Sequence, residues 1–359
     1  MGASPVSARY CARVHRATLK EVAKEAGVHP ATASRALNAS TRSMVNTATA
    51  ERVLRVAKEL GYTPNPIARS LKTARSSSVG VVLPDLTNPI FPPIVRGIED
   101  VLRDVGYSTW IVNTDNDPER ESSGVDSFRQ RSIEGFVFAT ARLSHPLIEE
   151  MADASMPLVL VNRRVSRIDI PSVTADDATG VSLAMNHLYE LGHRQIAHIA
   201  GPQELSTGLF RKRAFRQCLE DLGLPHEPER IAACETWSED AGDRALTTLL
   251  DKGVPFTAVV AGNDLIALGC YDAMKRRGLR CPEDISVVGF NDTPFMDKVS
   301  PAMTTVRIPQ YEIGAEAARL LMEMLQDPAR HPRSLLLPPT LIVRDSTGTV
   351  HAGPHATRR

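Results

Sequence analysis

The sequence predicts two unlike parts in one chain, a small all-α head followed by an α/β body of roughly 280 residues. Two observations carry this. Between residues 18 and 61, apolar side chains recur at helical spacing between capping signals, whereas from residue 78 short apolar runs alternate with amphipathic stretches of helix length. Charge makes the same division. The whole chain is formally neutral, yet up to Arg75 there are thirteen Lys/Arg against four Asp/Glu, a net of +9, so the remainder carries −9. A cationic head attracts a polyanion and an anionic body stays off it.

The first helix opens with Thr18-Leu19-Lys20-Glu21, a capping box in which hydroxyl and carboxylate satisfy orphan amides. It runs through Leu19, Val22, Ala23 and Ala26 and stops at Gly27, the residue best suited to a left-handed cap. After a tight turn, Pro30 occupies the first position of a second helix, where its missing N–H costs nothing. That helix reads Ala31 to Leu37 and ends at Asn38. A third runs from about Thr47 to Leu60 between Asn46 and Gly61. Apolar positions Leu19, Val22, Ala26, Val28, Ala33, Leu37, Val53, Val56 and Leu60 would suit any small bundle. A bundle alone does not explain Thr32, Ser34 and Arg35, two short hydroxyls and a guanidinium where phosphates and a base edge would lie. The pattern is a helix-turn-helix.

Asn65-Pro66 is a good helix start, but the eight residues to Lys72 are too few to be helical alone. A segment of this kind is expected to fold only on binding DNA. In the body, strands are expected at 78–84, 107–113, 135–139, 157–161, 196–200, 257–261 and 285–289, separated by helices. Repeated βα units of this length exceed one comfortable core, so two sheet subdomains are expected. The expected boundaries are a disordered extension over 1–17, the helix-turn-helix over 18–64 and a hinge helix with linker over 65–77. The body follows over 78–345 and a disordered tail over 346–359.

Thr18 to Leu37 and Ala57 to Lys72 closely resemble the DNA-binding head of the lactose-repressor (LacI/GalR) family, and the resemblance continues to about residue 345. Two departures stand in the head: His29 where Ser usually caps the second helix, and Ala33 where Val is usual. The resemblance implies a DNA-facing set of Thr18, Pro30, Ala31, Thr32, Ser34, Arg35, Asn38, Asn65, Ala68, Leu71 and Lys72. In that set Leu71 is the wedge that, paired with its copy, opens the central step in the minor groove. It also implies a body similar to periplasmic sugar-binding proteins, two like-folded lobes with crossovers near residues 175 and 307.

Ligands of open α/β sheets sit beyond the carboxyl ends of the strands. Asp85, Asn88 and Phe91 lie there after the first strand, Asn162 and Arg163 after Val161, and Arg211 after the Gly201 loop. Trp237, Asn263, Asn291 and Asp292 come from the second lobe, and Gln310 from near the last crossover. By resemblance these are effector-contacting positions. Each has a plainer reading, since Asn and Asp after a strand are ordinary caps and an aromatic can simply pack. The amide-rich set suits a polyhydroxyl ligand. Asn162 and Asn291 stand where several family members carry Asp, which leaves Arg163 and Arg211 short of carboxylate partners and favours a sugar acid or sugar phosphate. Asp85 or Asp292 could instead neutralise the pair and restore a neutral sugar.

The sequence holds no nucleophile elbow, phosphate-binding loop, dinucleotide fingerprint or H-E-x-x-H, so no enzyme and no cofactor is expected. Five cysteines with no C-x-x-C pair point to a reducing compartment and no metal site. His187, His193 and His198 read as structural or surface residues. Neither a membrane span nor a signal peptide is visible, which disfavours an exported sugar-binding protein. The expectation is a cytoplasmic, ligand-responsive regulator of transcription, a repressor of a carbohydrate-related operon. It binds a near-palindromic operator as a homodimer and answers to a sugar, sugar acid or sugar phosphate, or alternatively to a non-sugar effector such as a nucleobase. The residues after Asp345 contain no Leu, two Gly and one Pro, so no tetramer-forming heptad helix is expected.

Overall fold

The computed structural model describes residues 17–38, 41–63, 76–327 and 333–350. The chain divides into two compact units, Met1–Ser76 and Ser77–Arg359.

The head contains α1 (Leu19–Glu25), α2 (Pro30–Leu37), a 3-10 turn (Arg42–Met44) and α3 (Thr47–Glu59). Val22, Ala23, Ala33, Ala36, Val53 and Val56 close its core. Ala33 is completely buried between the helices, a position where a larger side chain would need room. Leu60, expected on the apolar face, is 41 % exposed and forms the C-cap of α3.

The body has two six-stranded sheets. In lobe one the elements are β1 (Ser78–Leu83), α4 (Phe91–Asp104), β2 (Ser108–Asn113), α5 (Pro118–Gln130), β3 (Gly135–Phe138), α6 (Pro146–Asp153), β4 (Leu158–Val161) and β5 (Ser172–Ala175). Lobe two follows with α7 (Asp177–Glu190), β6 (Ile196–Ala200), α8 (Ser206–Asp221), β7 (Ile231–Ala233), α9 (Glu239–Asp251), β8 (Ala258–Ala261), α10 (Asp264–Arg276), β9 (Ser286–Asn291) and β10 (Thr304–Arg307). The chain then returns: α11 (Gln310–Gln326) and β11 (Leu335–Leu337) complete lobe one, and β12 (Thr340–Ile342) completes lobe two. The strand orders are β11-β5-β4-β3-β1-β2 and β12-β10-β9-β8-β6-β7. All pairings are parallel except β10 with β12. Parallel strands covered by helices on both faces read as near-continuous apolar runs, and β1 is buried along its whole length. Edge strand β2 is different, leaving Trp110 and Ile111 nearly half exposed.

Helix α11 crosses α4 with backbone against backbone. A Cβ on Gly97 would lie 2.1 Å from the Tyr311 carbonyl oxygen, and one on Gly314 would lie 1.9 Å from that of Ile94. Only glycine permits that approach.

Residues 346–350, expected to belong to a tail, pack against lobe two. Ser346 is completely buried; its Oγ accepts from the Thr304 amide at 2.8 Å and donates to the Val287 carbonyl at 2.6 Å. His187 contacts the Thr347 hydroxyl at 2.9 Å, and His193 bridges the Thr257 hydroxyl and the Gly348 carbonyl. A short polar segment is thus fixed by hydrogen bonds that composition does not reveal. His198 is structural too, stacked on Phe215 and bonded through Nδ1 to the Val260 carbonyl at 2.8 Å.

Candidate functional site

The head presents α2 as a firmly held helix. Thr18 Oγ1 accepts from the Glu21 amide at 3.3 Å while Glu21 accepts from the Thr18 amide at 2.6 Å, fixing the start of α1. Gly27 takes a φ of +63° in the turn, and the Val28 amide returns to the Ala23 carbonyl at 2.9 Å. His29, an unusual cap, nevertheless does the work of one: its Nδ1 accepts from the Ala31 amide at 3.2 Å. The far end is also satisfied, because the Arg42 Nε donates to the Ala36 carbonyl and the Thr41 hydroxyl to that of Arg35. Pro30, Ala31 and Arg35 are exposed, Thr32, Ser34 and Asn38 are half-buried, and Thr18 is exposed at the start of α1. Asn65, Ala68, Leu71 and Lys72 lie outside the described residues.

In the body, the carboxyl ends of both sheets meet at a narrow cleft. Lobe one contributes Asn88, Ile90 and Phe91, at the start of α4, and Asn162 and Arg163, just after β4. Lobe two contributes Thr207 and Arg211 from α8, then Trp237, Asn263 and Asn291. Of the eleven positions expected from sequence, eight line this cleft. Three do not. Asp85 is not among the lining residues, and its Oδ1 accepts from the Thr87 amide and hydroxyl. Asp292 is held by Arg307 at 2.6 Å and Arg344 at 2.8 Å. Gln310 stands behind the lining, donating from Nε2 to the Asn291 carbonyl at 2.9 Å. Ile90 and Thr207 were not expected, although Thr207 sits one helical turn before Arg211 and so shares its face.

Backbone geometry fixes the amides. Asn162 has φ +62° and Asn291 φ +119°, both in the region L-residues avoid. Asn263 caps α10 by accepting from the Ile266 amide at 2.9 Å, and Asn88 likewise accepts from the Ile90 amide at 3.2 Å. The Trp237 indole lies in a notch left by Gly201, where a Cβ would fall 2.0 Å from the ring.

The two arginines differ in a way the sequence does not reveal. Arg211 is satisfied, donating from Nε to Asp177 at 2.7 Å and from Nη1 to the Gly262 carbonyl at 2.7 Å. Its guanidinium centre also stands 3.7 Å from the Phe290 ring centroid. The expectation that Arg211 lacks a carboxylate is therefore corrected: Asp177, 34 residues away in sequence, supplies it. Neither Asp85 nor Asp292 is available for that role. Arg163 is 4 % exposed and its Nε has no hydrogen-bond partner among the described residues. Burial and then the neighbouring Arg142 push its guanidinium down to about 10, against Glu204 and Glu121.

Among the described residues, no group of His, Cys, Asp or Glu could hold a metal ion, and no helix is long and apolar enough to cross a membrane.

Comparison with known proteins finds both parts. Residues 18–65 match the family described as bacterial regulatory proteins, lacI family, and residues 185–347 match the periplasmic binding protein-like domain. The HTH-type transcriptional repressor CytR of Escherichia coli K12 is 36 % identical over 92 % of this chain and 96 % of its own. Among solved structures, the transcriptional regulator CelR–cellobiose complex is 30 % identical with a TM-score of 0.71, covering 92 % of this chain and 100 % of its own. The lac repressor dimer bound to operator and the anti-inducer ONPF is 27 % identical with a TM-score of 0.81, covering 93 % and 99 %.

Proposed function

This chain belongs to the LacI family of bacterial regulatory proteins, and on that premise we propose a ligand-responsive repressor of a carbohydrate-related operon, acting in the cytoplasm as a homodimer on a near-palindromic operator. It is a DNA-binding transcriptional regulator and not an enzyme. The observation that carries the reading is the pairing, in one chain, of a capped α2 with Arg35 exposed on it and a two-lobed body whose strand ends converge on a polar cleft.

Arg35 reads a base edge in the major groove, Thr32 and Ser34 hold phosphates, and Pro30 and Ala31 set preference through apolar contact. The effector enters between the lobes, where Asn88, Asn162, Asn263 and Asn291 offer donors and acceptors and Phe91 and Trp237 offer flat apolar faces. Binding there favours one disposition of the lobes, and differential affinity for the two dispositions is what couples ligand to operator. Cellobiose in the CelR neighbour supports a carbohydrate-like effector. A dimer is supported by the dimeric lac repressor neighbour and by the exposed Trp110 and Ile111 on the unpaired edge of β2.

Operator selection from random DNA tests the reading, followed by mobility shift with a panel of sugars and sugar acids. A near-palindromic site whose occupancy changes with one of them is expected. Light scattering should return twice the 39.1 kDa chain mass; a monomer, or a site without symmetry, would sink the dimeric mode.

A further inference from the structure

Two polar atoms in the cleft are buried without partners, and they are of opposite kind. Among the described residues, Arg163 Nε is a donor with no acceptor, and Asn291 Oδ1 is an acceptor with no donor. Both residues are 4 % exposed and both line the same cavity. Buried polar groups are otherwise almost always paired, and an unpaired buried charge is the costliest exception. We propose that the effector is a hydroxy acid whose carboxylate sits on Arg163 and whose hydroxyl donates to Asn291. This deepens the effector reading above and rests on it.

The surroundings of Arg163 narrow the choice. Three charged groups face it, and none hydrogen-bonds it. Arg142 repels it, and its own Nη2 is given to the Asn116 carbonyl at 2.8 Å. Glu121 is committed to the Thr140 hydroxyl and to His145 Nε2. Glu204 is exposed, so water screens it. The guanidinium therefore has an open fork, and the geometry of that fork matches a carboxylate. A phosphate dianion would need a second uncommitted cation, and the other arginine of the cleft is already neutralised by Asp177. Asn291 is prepared in the same sense. Gln310 pins its carbonyl, so the backbone is held while the amide oxygen remains open.

Calorimetric titration of the intact protein with D-gluconate and D-glycerate, against D-glucose and glycerol, tests this. The carboxylates should bind at least about tenfold tighter than their neutral partners, the discrimination expected of one charge-assisted bidentate contact. Arg163→Met should abolish the preference while leaving the thermal midpoint unchanged or higher, because an unpaired buried charge has been removed. Should that variant fail to fold, Arg163→Gln serves the same comparison. Equal affinities, tighter binding of the neutral partner, or no binding by either carboxylate at millimolar concentration would overturn the proposal. So would a preference that survives Arg163→Met in a less stable protein, which would mark Arg163 as structural. Carboxylate binding without any change in operator affinity would leave the acid assignment standing and overturn the regulatory reading instead. A neutral sugar that shifts operator affinity does the reverse.

Discussion

Arg211 and Asp177 form an ion pair of 2.7 Å with side chains only 3 % and 10 % exposed, which ties the middle of α8 to the residue where the chain enters lobe two. Arg211 spends Nε on this pair and Nη1 on the Gly262 carbonyl, so only Nη2 is free of a partner among the described residues. Asp177→Ala leaves the guanidinium buried and uncompensated, a change that costs about 3–5 kcal/mol. Chemical denaturation should show the loss. Arg211→Lys keeps the charge but cannot serve Asp177, Gly262 and a ligand in one plane. Ligand response should fall severalfold while operator affinity stays within error, and a matched loss of both would show a collapsed body.

Arg35 is exposed on α2, and its carbonyl is engaged in holding the helix end. Arg35→Ala should weaken binding to the selected operator by about 1–3 kcal/mol and relax preference at one base position. Fluorescence anisotropy on cognate and scrambled duplexes separates the two roles. An equal loss on both would reduce Arg35 to a phosphate contact.

Leu71 is proposed from sequence alone as the minor-groove wedge. Leu71→Ala should reduce the bend of the operator and weaken specific binding more than nonspecific binding, since unstacking is required only on the true site. Circular-permutation mobility shifts measure the bend directly. An unchanged angle removes the assignment.

Asp264 and His198 drive stability in opposite directions with pH. Burial raises the Asp264 carboxyl to about 6, despite bonds from the Thr293 amide and the Thr305 and Thr293 hydroxyls. Its folded pKa lies above the unfolded value of 3.8, so its contribution is full below about pH 4 and is lost as pH rises through 6. Burial lowers His198 to about 4 from 6.5, so its contribution is present above 6.5 and is lost as pH falls toward 4. Each of these changes is equivalent to about 3 kcal/mol. Relative to wild type, Asp264→Asn should gain stability between pH 4 and 6.5, and His198→Phe should lose it. Urea unfolding at the two pH values reads the difference, and parallel offsets in both variants would mean neither group titrates there.

Much of the architecture could be read from the chain because local chemistry and fold agree. The helix-start signals at Thr18, Pro30 and Asn46 are local, and the apolar runs of β1, β3, β4, β6, β8 and β9 are the mark of strands buried on both faces. What escaped was of two kinds. Strands β5, β7, β10, β11 and β12 are only three or four residues long, too short for a periodicity to announce them. The other kind was pairing at a distance. Nothing near Arg211 points to Asp177, and nothing near Ser346 points to Val287 and Thr304. The same blindness displaced Asp85, Asp292 and Gln310 from the cleft lining: their positions after strands were right, but their side chains were already claimed by Thr87, by Arg307 and Arg344, and by the Asn291 carbonyl.

The close crossing of α4 with α11 has a consequence for how the body comes into being on the ribosome. Ile94 and Gly314 touch through backbone, yet 220 residues of chain separate them. At about 5–20 residues per second, ten to forty seconds pass between the emergence of the first helix and its partner. During that interval the head can fold, since its helices are contiguous, but lobe one has an apolar helix face with nothing to cover it. Neither lobe is a unit of synthesis: β11, the edge strand of the first, arrives only after most of the second. Newly made chains therefore carry a folded helix-turn-helix before they possess a finished sensor, and the nascent body is the part that needs shelter from aggregation.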